Sequence, residues 1–136
     1  MRRLAFLPLA LALVGCGLTQ DRSAAMCEVA GGLEHAYGVA ENALGADRAG
    51  DTERARQLAS DASGLADEAK ARLDAVDGDA TVASDPYQAL VMGYLHVGQA
   101  AKALLPEWAN THGMTAEELD LARTQLGAAE AALDGC

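Results

Sequence analysis

Three cysteines and three histidines are the side chains of this 136-residue sequence that could support covalent, redox or metal chemistry. They are Cys16, Cys27, Cys136, His35, His96 and His112. Metal and haem sites recur as Glu-x-x-His pairs on facing helices, as His-Glu-x-x-His or as Cys-x-x-Cys-His, and none of these patterns occurs here. The sequence therefore predicts no cofactor and no metal site.

Catalytic patterns are missing as well. Ser63 stands in DASGLA, which lacks the Gly-x-Ser-x-Gly turn that exposes the nucleophile of many serine hydrolases. Carboxylates pair only as neighbours such as Asp67-Glu68, which a helix would place on its surface. Because no nucleophile, base and orienting group occur together in a recognisable pattern, we predict that the chain is not an enzyme.

The beginning of the chain accounts for one of the cysteines. Two arginines follow the initiator methionine, and an apolar run occupies residues 4–14. This run is too short to span a bilayer, which takes about 20 residues, and is typical of a cleaved export signal. Its end, Leu13-Val14-Gly15-Cys16, resembles the lipobox of bacterial lipoproteins. The alternative is an ordinary secretory signal that happens to end near a cysteine.

The lipobox resemblance implies a membrane anchor. In that family a diacylglyceryl group is added to the cysteine thiol, here Cys16, and signal peptidase II then cleaves before it. Two or three acyl chains on one residue anchor a protein stably, whereas one chain binds only marginally. An aspartate after the cysteine often retains such proteins in the inner membrane, so Gly17 favours the outer membrane of a host with two membranes. We therefore expect a lipid-anchored protein of the bacterial cell envelope.

The resulting precursor divides into three parts. We predict a signal peptide over residues 1–15, a lipidated tether over residues 16–22 and one domain over residues 23–136. Loss of Arg2 and Arg3 with the signal takes the formal net charge from −10 to −12. So acidic a chain is poorly suited to bind nucleic acid or to lie flat on anionic lipid.

Four segments of the predicted domain carry apolar residues at spacings of 3 and 4, the pattern of helices with one buried face. They run from about residue 23 to 44, 51 to 76, 86 to 108 and 115 to 136. With short connections and no strand-like alternation, they predict an all-α, up-down-up-down four-helix bundle. The alternative is a fragment of a tetratricopeptide array, because AGDTERARQLASDA resembles part of that repeat. No second copy follows about 34 residues later.

Local signals mark the expected helix ends. Asp51 is placed to cap the second helix, and Asp85-Pro86 is typical of the start of the third. Thr115-x-x-Glu118 has the spacing of a capping box at the start of the fourth helix. Pro106 lacks an amide hydrogen and clashes with the preceding turn, so we expect the third helix to kink or break at residues 102–105.

The other two cysteines fall near the start of the first predicted helix and the end of the fourth. In an up-down-up-down bundle these points lie at the same end of the molecule. Export would place the chain in an oxidising compartment, where thiols pair. We therefore predict a Cys27–Cys136 disulfide. The alternatives are two unpaired thiols, or a bridge from Cys136 to another chain.

Without a catalytic pattern, the expected function depends on surface and position. We predict a non-enzymatic lipoprotein that binds another envelope protein as an adaptor, assembly factor or inhibitor. The helical pilotins of type II secretion resemble this plan in architecture, size and cysteine placement, with no diagnostic motif. They are small lipoproteins with a disulfide-bonded four-helix bundle that bind the C-terminal tail of a secretin and carry it to the outer membrane.

A groove beside the Pro106 break is the predicted docking surface, with Met92, Leu95 and Trp108 as its lining. The alternative for Trp108 is that it closes the end of the core. Two other functions stay open. A bundle that binds metal or a small ligand would have an enclosed cavity with His35 or His96 pointing into it, and a self-associating structural lipoprotein would form concentration-dependent oligomers.

Overall fold

A computed structural model describes residues 20–76, 78–107, 113–134 and 136. All regular structure in these residues is helical, with four long helices and one of a single turn. In chain order they are α1 (Gln20–Arg48), α2 (Thr52–Asp74), α3 (Asp79–Val82), α4 (Asp85–Lys102) and α5 (Thr115–Leu133). This confirms the predicted all-α four-helix bundle. The predicted signal peptide and Cys16 lie outside the described residues.

The long helices form two antiparallel hairpins. α1 packs most extensively against α2, and α4 against α5. α2 also packs on α4 and α1 on α5, which closes the ring, while α1 touches α4 across the centre. The order is up-down-up-down, because successive long helices contact each other in opposite chain order, as His96–Glu118 and Ala100–Thr115 do on α4 and α5. The start of α1 and the end of α5 therefore share one end of the molecule, together with the connection from α2 to α4.

The core of the bundle is rich in alanine, which lets the helices approach closely. On α1 and α2 a Cβ added at Gly32 would lie 3.3 Å from the Cβ of Ala69. α4 and α5 are closer still, since a Cβ at Gly93 would lie 2.9 Å from Cδ2 of Leu126. The largest fully buried apolar side chains are Met26, Leu33, Leu73, Leu90, Leu126, Val29 and Val97.

The predicted capping residue is correct for α2 and is displaced by one residue for α4. Oδ1 of Asp51 accepts a hydrogen bond from the backbone N–H of Arg54 at 3.2 Å, which confirms Asp51 as the cap of α2. α4 begins one residue earlier than a cap at Asp85 would require: Ser84 holds the cap position and Asp85 is the first helical residue. Pro86 is still within the first turn, where its missing amide hydrogen costs no helical bond.

The capping box expected at the start of α5 is wrong. Thr115 is the first residue of the helix and Met114 occupies the cap position, with no side-chain cap bond. The buried Thr115 hydroxyl instead donates to the carbonyl of Ala100 on α4 at 3.1 Å. Glu118 also turns towards α4. Both side chains have hydrogen-bond partners on α4. The spacing of Thr115 and Glu118 along the chain gives no sign of these contacts.

The break expected at Pro106 is present. α4 ends at Lys102, and residues 103–107 continue as turns and a short 3₁₀ segment. This segment returns towards the α1–α2 hairpin, where Leu104 packs with Ala43 and Ala59 in a small second apolar cluster. The cluster closes the end of the bundle opposite the disulfide.

Candidate functional site

The Cys27–Cys136 disulfide is present, as predicted, and joins α1 to a residue just beyond the end of α5. The two Cα atoms lie 5.4 Å apart, within the usual range of about 4.4–6.8 Å for disulfides. Cys136 is exposed and Cys27 is half-buried. The bond closes a covalent loop over a sequence separation of 109 residues.

A cleft of about 330 Å³ lies against this disulfide, between α1 and α5. It is lined by Cys27, Ala30, Gly31, Glu130 and Cys136. Gly31 contributes no side chain, and a Cβ built there would meet nothing within 4 Å. The α1 wall of the cleft is therefore open, and among the described residues that line it Glu130 alone has a charged side chain.

A second carboxyl group stands beside that of Glu130. Glu34 on α1 and Glu130 on α5 interact across the interface of the two helices, which we call the α1–α5 seam. Partial burial raises the pKa of Glu34, and the charge and hydrogen bond of Glu130 raise it further, while Arg123 acts in the opposite direction. The packing of α1 against α5 thus brings two carboxyl groups of like charge together at the seam.

Arg123 holds the middle of the α1–α5 seam. Its Nε donates a hydrogen bond to the hydroxyl of Tyr37 at 3.1 Å, and its guanidinium carbon lies 4.9 Å from the centre of the Tyr37 ring. Nη2 of Arg123 is 3.8 Å from Oε1 of Glu41. The Tyr37 hydrogen bond, with the charge of Glu41 adding to it, raises the pKa of Arg123. One cation on α5 therefore bridges two residues one turn apart on α1.

Beyond Arg123 the α1–α5 seam opens into a second cleft, of about 390 Å³. Its floor contains the buried Tyr37 ring and Leu119, and its rim carries Glu41, Arg48 and Asp120. The remaining lining residues are Leu44, Gly45 and Ala116. The cleft is only partly enclosed, and it carries charges of both signs at its edge.

The seam between α2 and α4 is held by a different tyrosine. The hydroxyl of Tyr94 donates to Oδ1 of Asp67 at 2.8 Å, and this bond raises the pKa of Tyr94. The ammonium of Lys70 lies 5.7 Å from the centre of the Tyr94 ring. These contacts lie on the surface and tie the two hairpins together.

The two histidines within the described residues, His35 and His96, do not converge. Nδ1 of His96 on α4 lies 2.7 Å from Oε2 of Glu118 on α5, and both side chains are largely buried. His35 is exposed on α1, where it lines shallow depressions of the surface. His112 lies outside the described residues. Within the described part of the chain, no three His, Cys, Asp or Glu side chains are placed to share a metal ion.

Two of the predicted groove residues face solvent on α4. Met92 is 39% exposed and Leu95 is 44% exposed, while Trp108 lies outside the described residues. Leu121 on α5 is 48% exposed. The antiparallel register set by the His96–Glu118 contact places Leu121 level with Gly93, one residue from Met92 and two from Leu95 along α4. We call Met92, Leu95 and Leu121 the α4–α5 apolar patch.

Leu121 is absent from the predicted groove because that groove was placed only beside the Pro106 break. Leu121 falls outside the buried stripe of α5, which is formed by Leu119, Ala122, Leu126, Ala129 and Leu133. The location of Leu121 outside this stripe is the sequence feature that could have identified it. A large apolar residue on the polar side of an amphipathic helix is a candidate contact residue.

Comparisons with known proteins give no relative: the chain matches no protein-family model, no curated protein and no solved structure. Among the described helices, none is both long enough and apolar enough to cross a bilayer. Functional inference for this chain therefore depends on its own residues and their arrangement.

Proposed function

We propose that this chain is the precursor of a bacterial lipoprotein that acts as a non-enzymatic adaptor in the cell envelope. Cys16 carries the lipid anchor, and the bundle binds another envelope protein through the α4–α5 apolar patch. The observation that carries this proposal is the exposure of three large apolar side chains, Met92, Leu95 and Leu121, on adjacent helices of an otherwise acidic protein.

The disulfide supports the proposed location in the cell envelope. Structural disulfides form in oxidising compartments and are rare in the reducing cytosol of most organisms. The Cys27–Cys136 bond therefore fits a chain that is exported, as the lipobox resemblance of Leu13-Val14-Gly15-Cys16 implies. The leader and the disulfide are independent features, because one lies in the sequence before α1 and the other joins the ends of the bundle.

The position of α1 supports a defined orientation on the membrane. α1 begins at Gln20, so Cys16 and the first helical residue are separated by at most about 14 Å of extended chain. The disulfide end of the bundle then faces the lipid. Leu95 is the eleventh residue of α4, which starts at that same end, so the apolar patch stands about 15 Å further from the membrane. That height leaves room for a partner beside the bundle.

The apolar patch supports docking because exposed apolar side chains are costly to leave in water. Burial of apolar surface contributes about 25 cal/mol per Å², and binding energy usually concentrates in a few such residues. The partner would be delivered or held at the membrane, in the manner of the helical pilotins. An inhibitor would use the same surface.

Binding of a small ligand is the second candidate function. The positions of the histidines disfavour the kind of ligand site that the sequence predicts for it. That site required an enclosed cavity with His35 or His96 pointing inward. His96 instead pairs with Glu118 between two helices, and His35 is exposed. The partly enclosed 390 Å³ cleft of the α1–α5 seam is where a small ligand would bind in this alternative.

Site-specific photo-crosslinking in the native bacterium tests the adaptor proposal. A photoreactive amino acid replaces Leu95 or Leu121 in the full precursor, and Gln57, exposed on α2, is the matched control position. We expect one discrete protein adduct from positions 95 and 121, none from position 57, and loss of the adduct when Cys16→Ser removes the anchor. Equal labelling from all three positions, or no adduct from the patch, contradicts docking at this surface.

A further inference from the structure

The Cys27–Cys136 bond can be reached from solvent. Cys136 is exposed, and the 330 Å³ cleft opens onto both sulfur-bearing residues. Gly31 leaves the α1 side of the cleft without a side chain, and a Cβ there would meet nothing within 4 Å. A small thiol that enters this cleft would therefore lie beside the disulfide of the folded protein.

The cleft is negatively charged. Glu130 lines it directly, and the carboxyl group of Glu34 interacts with that of Glu130. Arg123 lies seven residues before Glu130 on α5, about 10 Å along the helix axis, where it is held by Tyr37 and Glu41. The carboxyl group of Glu130 thus lies beside the disulfide, while Arg123 is engaged further along the α1–α5 seam.

Disulfide exchange is sensitive to such charge because both its entering and its leaving groups are anions. A thiolate attacks Sγ of Cys136 and forms a mixed disulfide, while the Cys27–Cys136 bond breaks and its electron pair leaves on Sγ of Cys27, which then takes a proton from water. A second thiolate resolves the mixed disulfide. Cys136 then leaves as a thiolate and takes a proton from water, so the products are two cysteine thiols and one disulfide formed from the two reductant thiols. Carboxylates beside the bond repel each anionic species and attract a cationic reagent.

We propose that the Cys27–Cys136 bond is a charge-selective site of thiol–disulfide exchange, open to cationic thiols and guarded against anionic ones. Glu130 supplies the selectivity and Glu34 strengthens it. The chemical class of reductant that fits this site has positive charge close to its thiol. This inference concerns the reactivity of the bond, and it does not depend on the adaptor role.

Reduction kinetics of the purified, oxidised chain test this proposal. The probes are cysteamine, a cationic thiol, and 2-mercaptoethanesulfonate, an anionic one, with rates expressed per thiolate. Any unfolding of the protein that exposes the disulfide speeds the reaction of both thiols by the same factor. The ratio of the two rates is therefore independent of the stability of the protein. We expect the ratio in the native protein to exceed that of the urea-unfolded chain about threefold to tenfold at low salt, and to fall to the unfolded value at 1 M salt.

Glu130→Gln is the decisive variant, and Glu117→Gln on the same helix is its matched control. Glu117 is exposed in the first turn of α5, about 20 Å from Glu130. We expect Glu130→Gln to lower the native ratio about twofold to threefold and Glu117→Gln to leave it unchanged. A native ratio equal to the unfolded one, no effect of Glu130→Gln, or reduction of the native bond by neither thiol overturns the proposal.

Discussion

His96 on α4 and Glu118 on α5 form a largely buried pair, with Nδ1 of His96 lying 2.7 Å from Oε2 of Glu118. The pair joins the two helices beside the α4–α5 apolar patch. Beside the apolar face of α4, the sequence favours a partly buried His96 with a hydrogen-bond partner over a ligand that points into a cavity, and the contact bears this out. Glu118 is expected in a capping box, and the same contact explains why it does not take that role.

A double-mutant cycle should show that this pair is coupled. We expect His96→Ala and Glu118→Ala to share a coupling free energy of about 1 kcal/mol, the usual net contribution of such a hydrogen bond. Urea unfolding followed by circular dichroism measures it. His96→Ala combined with Glu117→Ala, whose carboxylate is exposed on the same helix, should show no coupling. Additive effects for His96 and Glu118 would mean that the contact contributes nothing in solution.

Two glycines of α4 should respond to alanine in opposite directions. A Cβ at Gly93 would lie 2.9 Å from Leu126, whereas one at Gly98 would meet nothing within 4 Å. We expect Gly93→Ala to destabilise the bundle by about 1–3 kcal/mol through overpacking. Gly98→Ala should stabilise it by about 0.5–1 kcal/mol through helix propensity. Thermal and urea unfolding of both variants decide this, and equal effects would show that α4 and α5 are not this close.

Glu34→Gln should stabilise the protein at neutral pH and not at acidic pH. The pKa of Glu34 is raised in the folded state by burial and by Glu130, so the folded protein binds this proton more tightly than the unfolded chain does. Its free energy of unfolding therefore falls as pH rises through the interval between the two pKa values. Replacement by a neutral amide removes that loss.

Melting temperature measured against pH tests this prediction. We expect the melting temperature of Glu34→Gln to exceed that of the wild type at pH 7, and the difference to disappear below about pH 4, where an ordinary glutamate is protonated in both states. Glu68→Gln, exposed on α2, is the control and should show no such crossover. A difference that is independent of pH would exclude the carboxyl pair as its cause.

Cys16→Ser should abolish lipidation. If Cys16 is the acylated residue, the wild-type product carries the mass of its acyl chains and fractionates with membranes. The variant should accumulate as an uncleaved or soluble chain without added lipid. Intact-mass spectrometry and membrane fractionation measure both. An unchanged mass increment, or loss of only an ordinary signal peptide from the wild type, would contradict the lipobox interpretation.

Features that depend on neighbouring residues in the chain could be predicted from the sequence. Asp51 caps α2 because its partner, the amide of Arg54, is three residues away, and Pro106 breaks a helix through its own missing hydrogen. The Cys27–Cys136 bond followed from topology, since helix order alone places those residues at one end. Each of these predictions needed only local chemistry or the order of the helices.

Contacts between helices could not be predicted in this way. Thr115 has a cap-like sequence position, yet its hydroxyl bonds Ala100 on α4. Glu34 and Glu130 are 96 positions apart in the chain, and nothing in either local sequence indicates that their carboxyl groups meet. Such pairings depend on the rotation of each helix about its axis. In an alanine-rich core that rotation is set by small differences in side-chain size.

The closed covalent loop also determines how the molecule would carry mechanical load. Tension applied through an anchor at Cys16 enters α1 and reaches Cys27, where the disulfide divides it between the continuing chain and Cys136. Only residues 20–26 of the helices precede that point, so pulling can peel about two turns of α1 before it meets a covalent ring. Force between the anchor and a bound partner would thus extend only the chain before Cys27, while the disulfide-closed part of the four-helix bundle keeps its ends joined.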